Sequence, residues 1–263
     1  MQKIVDFNVN NTENISGETI RGVLLNFKPF QSDGTTVCNI NDLNQIQITV
    51  TLKRRGKPDF IHYNGYLDDY LVAMYSQTPR YQMYKTKRND GYKIPVDFHP
   101  GAIAINRTDR LEVRLFAKST AFTSLSVPNS SISIESRPAA SATGVIQRVV
   151  SVPVGKDKVE FDDVLEDNIF KIVAATDYTA PYEESTKAQV DRVNLTSNNL
   201  KKDVSADLIE LENIEFLHLN PETDVEHCVL HWGETLKSPH LKLNLTKPAD
   251  INTKILTVGW VSL

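Results

Sequence analysis

Apolar residues recur along this chain mainly in short runs. IQITVTLK (46–53), DFIHY (59–63), YKIPVDF (92–98), RLEVRLFAK (110–118) and SISIE (131–135) are β-branched or alternate with a period of two, and turn residues bound each of them. That pattern is the signature of half-buried strands. The same style returns in VIQRVVSVPV (145–154), IFKIVAA (169–175), IEFLHL (214–219), EHCVLHW (226–232), HLKLNL (240–245) and TKILTVGWV (253–261). The pattern predicts an all-β protein. Between the two sets lies ESRPAASATGV (135–145), where Pro138 cannot donate to a ladder and small side chains have little to pack. The domain boundary is placed there, giving modules 1–138 and 139–263, each about the size of one compact domain.

A weak internal correspondence supports the division. The hairpin across KRRGKP (53–58) has its expected counterpart across NPETD (220–224), and RLEVRLFAK, a connection and SISIE parallel HLKLNL, a connection and TKILTVGWV. Each module has strands enough for a closed barrel or a two-sheet jelly roll, architectures that protect sheet edges. Two stretches depart from the strand pattern. In the first, Tyr66, Leu67, Tyr70, Leu71, Met74 and Tyr75 fall at helical spacing, Asp68 and Asp69 are expected to turn outward, and Pro79 ends the run. The second, residues 182–208, reads as a polar loop with room for one short helix.

The first departure belongs to HYNGYLDDYLVAMYSQTPRYQMYKTKRNDGY (62–92), which holds seven of the nine tyrosines. Interleaved with Arg80, Lys85, Lys87 and Arg88, they read either as a stacking platform for single-stranded nucleic acid or as a helical excursion packed on a sheet. Charge bears on that choice. The chain is 263 residues with a formal net charge of −4, whereas a domain built for nucleic acid is usually strongly basic. The balance is uneven: residues 1–138 carry 17 Lys and Arg against 13 Asp and Glu, and the remainder 12 against 20, net +4 and −8. No specific nucleic-acid binding is expected. Cys38 and Cys228 lie far apart and make no disulfide framework, so both read as free thiols of a reducing compartment. The opening segment has no basic region followed by an apolar run, and no stretch of about 18 uncharged apolar residues occurs, so neither signal-directed export nor a membrane span is expected.

Candidate chemistry is sparse. In EHCVLHW, His227 and His231 alternate onto one strand face with Cys228 opposite and Glu226 nearby, but the spacings of zinc motifs are missing, so a bound metal is left open against ordinary strand histidines. Asp162, Asp163, Glu166 and Asp167 in EFDDVLEDN could gather calcium ligands, yet no EF-hand spacing accompanies them and a solvated acidic turn is the plainer reading. His62 and His99 flank the excursion without a nucleophile to activate. The cationic hairpin Lys53, Arg54, Arg55 and Lys57 could touch phosphates or form an ordinary exposed tip. No complete catalytic motif and no cofactor fingerprint is present, so neither enzymatic activity nor a cofactor is expected. An esterase or deaminase would need an unannounced triad.

Two tandem modules, a small-residue linker, a helical excursion before the closing strands of the first module and no active-site motif together resemble the double jelly-roll major capsid proteins of small icosahedral bacteriophages with an internal membrane. The resemblance runs from about GETIRGVLLNF to TKILTVGWVSL. It implies two jelly rolls standing upright in a shell, and a homotrimer of pseudo-hexagonal outline meeting neighbouring capsomers and a penton protein. The implied place is the virion capsid, after synthesis in a host cytoplasm. It also implies a subunit interface for which Tyr66, Tyr70, Tyr75, Tyr81 and Tyr84 are candidates, and an inner face toward the viral membrane or its proteins for which Lys53, Arg54, Arg55 and Lys57 are candidates. The alternative from another class is a non-enzymatic carbohydrate- or receptor-binding β protein.

Overall fold

The computed structural model describes residues 2–75, 80–175, 190–198, 200–209, 211, 228–251 and 253–263, of which the side chains of 2–4, 81–82, 175, 228–229 and 231–234 are left aside. Among the described residues nine strands precede the linker: β1 (Gln2–Val5), β2 (Asn10–Ile15), β3 (Thr19–Lys28), β4 (Ile46–Lys53), β5 (Phe60–Tyr66), β6 (Tyr92–Asp97), the two-residue β7 (Ile103–Ala104), β8 (Arg110–Ala117) and β9 (Ser131–Pro138). Eight described strands follow it: β10 (Val145–Pro153), β11 (Glu160–Val164), β12 (Ile169–Ala175), β13 (Val190–Ser197), β14 (Leu200–Ser205), β15 (Cys228–Leu236), β16 (His240–Leu245) and β17 (Lys254–Ser262). Helices α1 (Leu67–Tyr75) and α2 (Arg80–Lys85) lie between β5 and β6.

Strand order carries the architecture. The first set forms sheets β1-β9-β3-β6, with β7 beside β3, and β2-β8-β4-β5; the second forms β10-β17-β12-β15 and β11-β16-β13-β14. Leaving β7 aside, both sets follow one rule. The first, eighth, third and sixth strands make one sheet, and the second, seventh, fourth and fifth make the other. This is the jelly-roll order, and it occurs twice in succession. Compact grouping divides the chain into Met1–Tyr70, Gln82–Arg148 and Val261–Leu263 on one hand, and Leu71–Tyr81 and Val149–Trp260 on the other.

Alternation explains the core of the first unit. Val23, Leu25 and Phe27 on β3, Ile46, Ile48 and Val50 on β4, Ile94 and Val96 on β6, and Leu111, Val113 and Leu115 on β8 are all buried, every second residue along each strand. Each such side chain contributes about 1.5–3 kcal/mol relative to exposure. The rhythm is interrupted in β3, where pairing with β9 slips between Ile20 and Gly22. Gly22 has φ 151°, and a Cβ there would lie 2.4 Å from the Val96 carbonyl oxygen, so only glycine fits. The second unit has its own core, in which Phe161, Ile172, Val193, Leu195, Leu241, Leu243 and Ile255 pack together.

Several expectations are corrected. Residues 190–205, expected as loop, form the antiparallel pair β13–β14, with Val193 opposite Val204. The counterpart of the β4–β5 hairpin is therefore β13–β14, and 220–224 lies outside the described residues, as does 214–219. Asp162 and Asp163 sit on strand β11 and not in a turn. Asp68 and Asp69 do not face outward. They are 2% and 1% exposed, because α1 is buried on every side from Leu67 to Ala73 and has no wet face to offer them. Both stand in the first turn of α1, where carboxylates suit the helix dipole, and Asp68 also meets Lys85 of α2 at 3.4 Å.

Candidate functional site

The two ends of the first unit differ chemically, and topology decides which loops gather at each. Ladder registers put Lys53 opposite Arg110 and Ile15 opposite Leu111 at one end of the β2-β8-β4-β5 sheet, and Ile46 opposite Ala117 at the other. At the second end an aromatic cluster closes the sandwich. Phe122 lies 5.9 Å from Phe7, 5.7 Å from Phe27 and 5.7 Å from Tyr92 between ring centroids, and the Tyr92 hydroxyl donates to the Cys38 carbonyl at 2.9 Å. The interior of that end is closed by these buried rings.

The first end is basic. The β4–β5 turn closes with the Lys57 amide donating to the Arg54 carbonyl, and Gly56 takes φ 71°, as the turn requires. Asp109 in the β7–β8 connection accepts from the Arg55 backbone amide at 3.0 Å, and that bond first of all holds its carboxyl below the usual range. One interaction thus ties the two loops together. Between them and the end of β2 opens a cleft of about 540 Å³ lined by Lys53, Arg54, Arg55, Arg107 and Arg110, with Asp59 and Asp109 as its carboxylates. Lys53 pairs with Glu112 at 3.1 Å, and Arg114 reaches the same carboxylate at 2.8 Å. Burial pulls Glu112 upward, but these two cations outweigh it and leave its pKa lowered. Arg137 is committed to Asp97. Lys57 is exposed and outside the cleft lining. The sequence reading found the hairpin cations and missed Arg107 and Arg110, whose signal, RTDR at 107–110, is only a short charged turn until the fold brings it beside KRRGK.

The candidate interface tyrosines divide. Tyr70 is fully buried, 5.1 Å from the ring of fully buried Tyr63, and its hydroxyl both donates to the Asp97 carbonyl and accepts from the Asp97 amide, each at 2.9 Å. It belongs to the core and has no surface for a neighbouring subunit. Tyr75 is 6% exposed and equally interior. Tyr66 and Tyr84 are half-buried, and the Tyr81 side chain is outside the described ones. Tyr63 donates to the Tyr66 carbonyl at 2.5 Å. The physical reason is simple: a tyrosine enclosed by its own chain satisfies its hydroxyl on that chain's backbone, as Tyr70 does on Asp97.

The other candidates disperse. His240 Nε2 meets Asp162 at 2.5 Å across β11–β16, Asp163 accepts from the Val164 amide, and Asp167 accepts from the Ser238 amide and hydroxyl. Those carboxylates have separate partners and do not converge. Glu226 and His227 lie outside the described residues, as do the side chains of Cys228 and His231. Among the described residues no three His, Cys, Asp or Glu side chains gather as metal ligands, and no helix is long and apolar enough to cross a membrane. His62 is fully buried, with Nδ1 2.7 Å from the Gln147 carbonyl and its ring 4.8 Å from Phe98 in edge contact. Burial lowers its pKa to about 4. In the second unit Lys171 Nζ donates to the Ala73 carbonyl at 2.7 Å, and burial lowers its pKa to about 7.

An all-β chain with two successive jelly rolls and no assembled catalytic constellation among its described residues defines a fold class, the double jelly roll. No family model and no curated protein matches the chain. Solved structures do. The crystal structure of the major capsid protein of STIV aligns with a TM-score of 0.58 at 15% identity, over 99% of this chain and 95% of that one. The atomic structure of Sulfolobus Turreted Icosahedral Virus aligns at 0.61 and 13%, over 100% and 89%. The crystal structure of the major capsid protein of bacteriophage PM2 aligns at 0.54 and 12%, over 100% and 97%. At such identities the likeness is one of fold, and it extends from end to end.

Proposed function

We propose that this chain is a viral coat protein of the major capsid type, located in the virion and without enzymatic activity. The observation that carries the reading is the doubled eight-strand order, aligned over essentially the whole chain with viral major capsid proteins. In this reading the modules 1–138 and 139–263 each stand upright in a shell, and three chains supply six jelly rolls to a homotrimer of pseudo-hexagonal outline. Neighbouring capsomers and a penton protein complete the lattice. The net +4 and −8 modules alternate around the trimer, where complementary fields favour that register over like beside like. Tyr66, Tyr81 and Tyr84 are the tyrosines that stay as interface candidates, while Lys53, Arg54, Arg55 and Lys57 face an internal membrane or its proteins.

Electron microscopy of the purified full chain tests the assembly. Three-fold particles with a six-lobed outline, or closed shells, are expected; fields containing only small, unassociated particles contradict the reading. One observation favours a second reading, a carbohydrate-binding β protein: an open groove of about 400 Å³ on the β2-β8-β4-β5 sheet sets Asn11, Gln47, Thr49 and Arg114 beside Phe116. Glycan binding by chains that never associate would favour it over the coat.

A further inference from the structure

We propose that the basic cleft of the first unit binds a phosphate group, carried by a lipid headgroup or by a small soluble phosphate. Three observations converge on it. Lys53 and Arg110 stand directly opposite each other in the β4–β8 ladder, a like-charge pair in which Glu112 answers Lys53 alone. Glu112 is shared by Lys53 and Arg114, which leaves Arg110 without an ion pair among the described residues, and the same holds for Arg55 and Arg107. Arg54 holds a buried Nε with no hydrogen-bond partner among the described residues, in the wall of the same cleft. Buried donors are normally paired, so an unpaired one marks an expected acceptor.

The chemistry of the lining selects the ligand. Guanidinium groups present planar forks that match phosphate oxygens in pairs, and four of the five cations here are arginines. Of the two carboxylates, Asp109 is occupied by the Arg55 amide and fixes the loops. The cleft is therefore preorganised before any anion arrives. The inference sharpens the membrane-facing part of the coat reading by naming the group recognised, and it is tested separately from assembly.

The experiment titrates the full chain with sodium phosphate and with glycerol phosphate against sodium chloride at matched ionic strength, following the thermal midpoint. Flotation with phosphatidylcholine vesicles, with and without phosphatidylglycerol, runs alongside. Three proteins are compared: the wild type, Arg107→Gln/Arg110→Gln, and Lys87→Gln/Arg88→Gln as a charge-matched control away from the cleft. Phosphate is expected to raise the wild-type and control midpoints beyond chloride and to lose that effect in the cleft variant. Each lost arginine should weaken binding about fivefold, so about 25-fold for the pair. Arg107→Lys/Arg110→Lys, which keeps charge and loses the fork, should fall between. Flotation with phosphatidylglycerol that the cleft variant loses identifies a headgroup as the source; a soluble-phosphate response without flotation identifies a free phosphate. The proposal is overturned if the cleft variant responds like the control, or if the wild type shows neither response. A monomer that binds phosphate would refute the coat and leave the cleft standing, and an assembly indifferent to phosphate would do the reverse.

Discussion

His62 Nδ1 donates to the Gln147 carbonyl, while Nε2 is buried with no hydrogen-bond partner among the described residues. The ring is held neutral, its pKa lowered from 6.5 to about 4 by burial first, against the carbonyl bond, with Arg148 adding to the lowering. The sign follows from proton counting. Between pH 6.5 and about 4 the unfolded chain has taken up the proton and the folded chain has not, so stability is full above 6.5 and falls as the pH drops through that window. The loss from this one group amounts to about 3 kcal/mol by pH 4. Urea unfolding at pH 7 and pH 4.5 should show it, and His62→Phe, less stable overall for want of the Gln147 bond, should show a flatter pH dependence. An unchanged slope in the variant would assign the acid sensitivity elsewhere.

Elements were legible where the alternation ran unbroken and both faces had clear characters. IQITVTLK and HLKLNL coincide with β4 and β16 residue for residue. Where a bulge intervened the pattern dissolved. In β13 the pairing with β16 slips between Val190 and Arg192, so buried Val190 falls out of step with buried Val193, Leu195 and Ser197. Its partner β14, LKKDVS, is an edge strand with polar side chains on its outer face and only Leu200 and Val204 packed against the core. Helix α1 was legible as a helix, but its burial was not, because Asp68 and Asp69 reverse the usual meaning of charge. The basic cleft was half legible: one hairpin supplies Lys53, Arg54 and Arg55, and only strand order brings Arg107 and Arg110 to them. At this scale the β3 bulge is testable. Gly22→Ala forces a side chain to within 2.4 Å of the Val96 carbonyl at a φ of 151°, and should cost about 2 kcal/mol or more in chemical unfolding. A variant with the wild-type midpoint would mean that β3 and β6 separate without penalty.

For the whole molecule, the doubled jelly roll matters to the proposed coat role because six similar modules would fill a hexagonal lattice position with three chains. One strand order is used twice within 263 residues, and the alignments with solved structures span essentially the full length of the chain. In the proposed trimer the obligate interfaces would bury about 2,000 Å² or more, and the unequal charges of residues 1–138 and 139–263 would favour alternation of the two modules. Native mass tests this most directly. Light scattering of the purified full chain at micromolar concentration and low salt should give three times the chain mass of 29.6 kDa, or a shell built in multiples of that trimer. A homogeneous species of 29.6 kDa under those conditions would contradict the account.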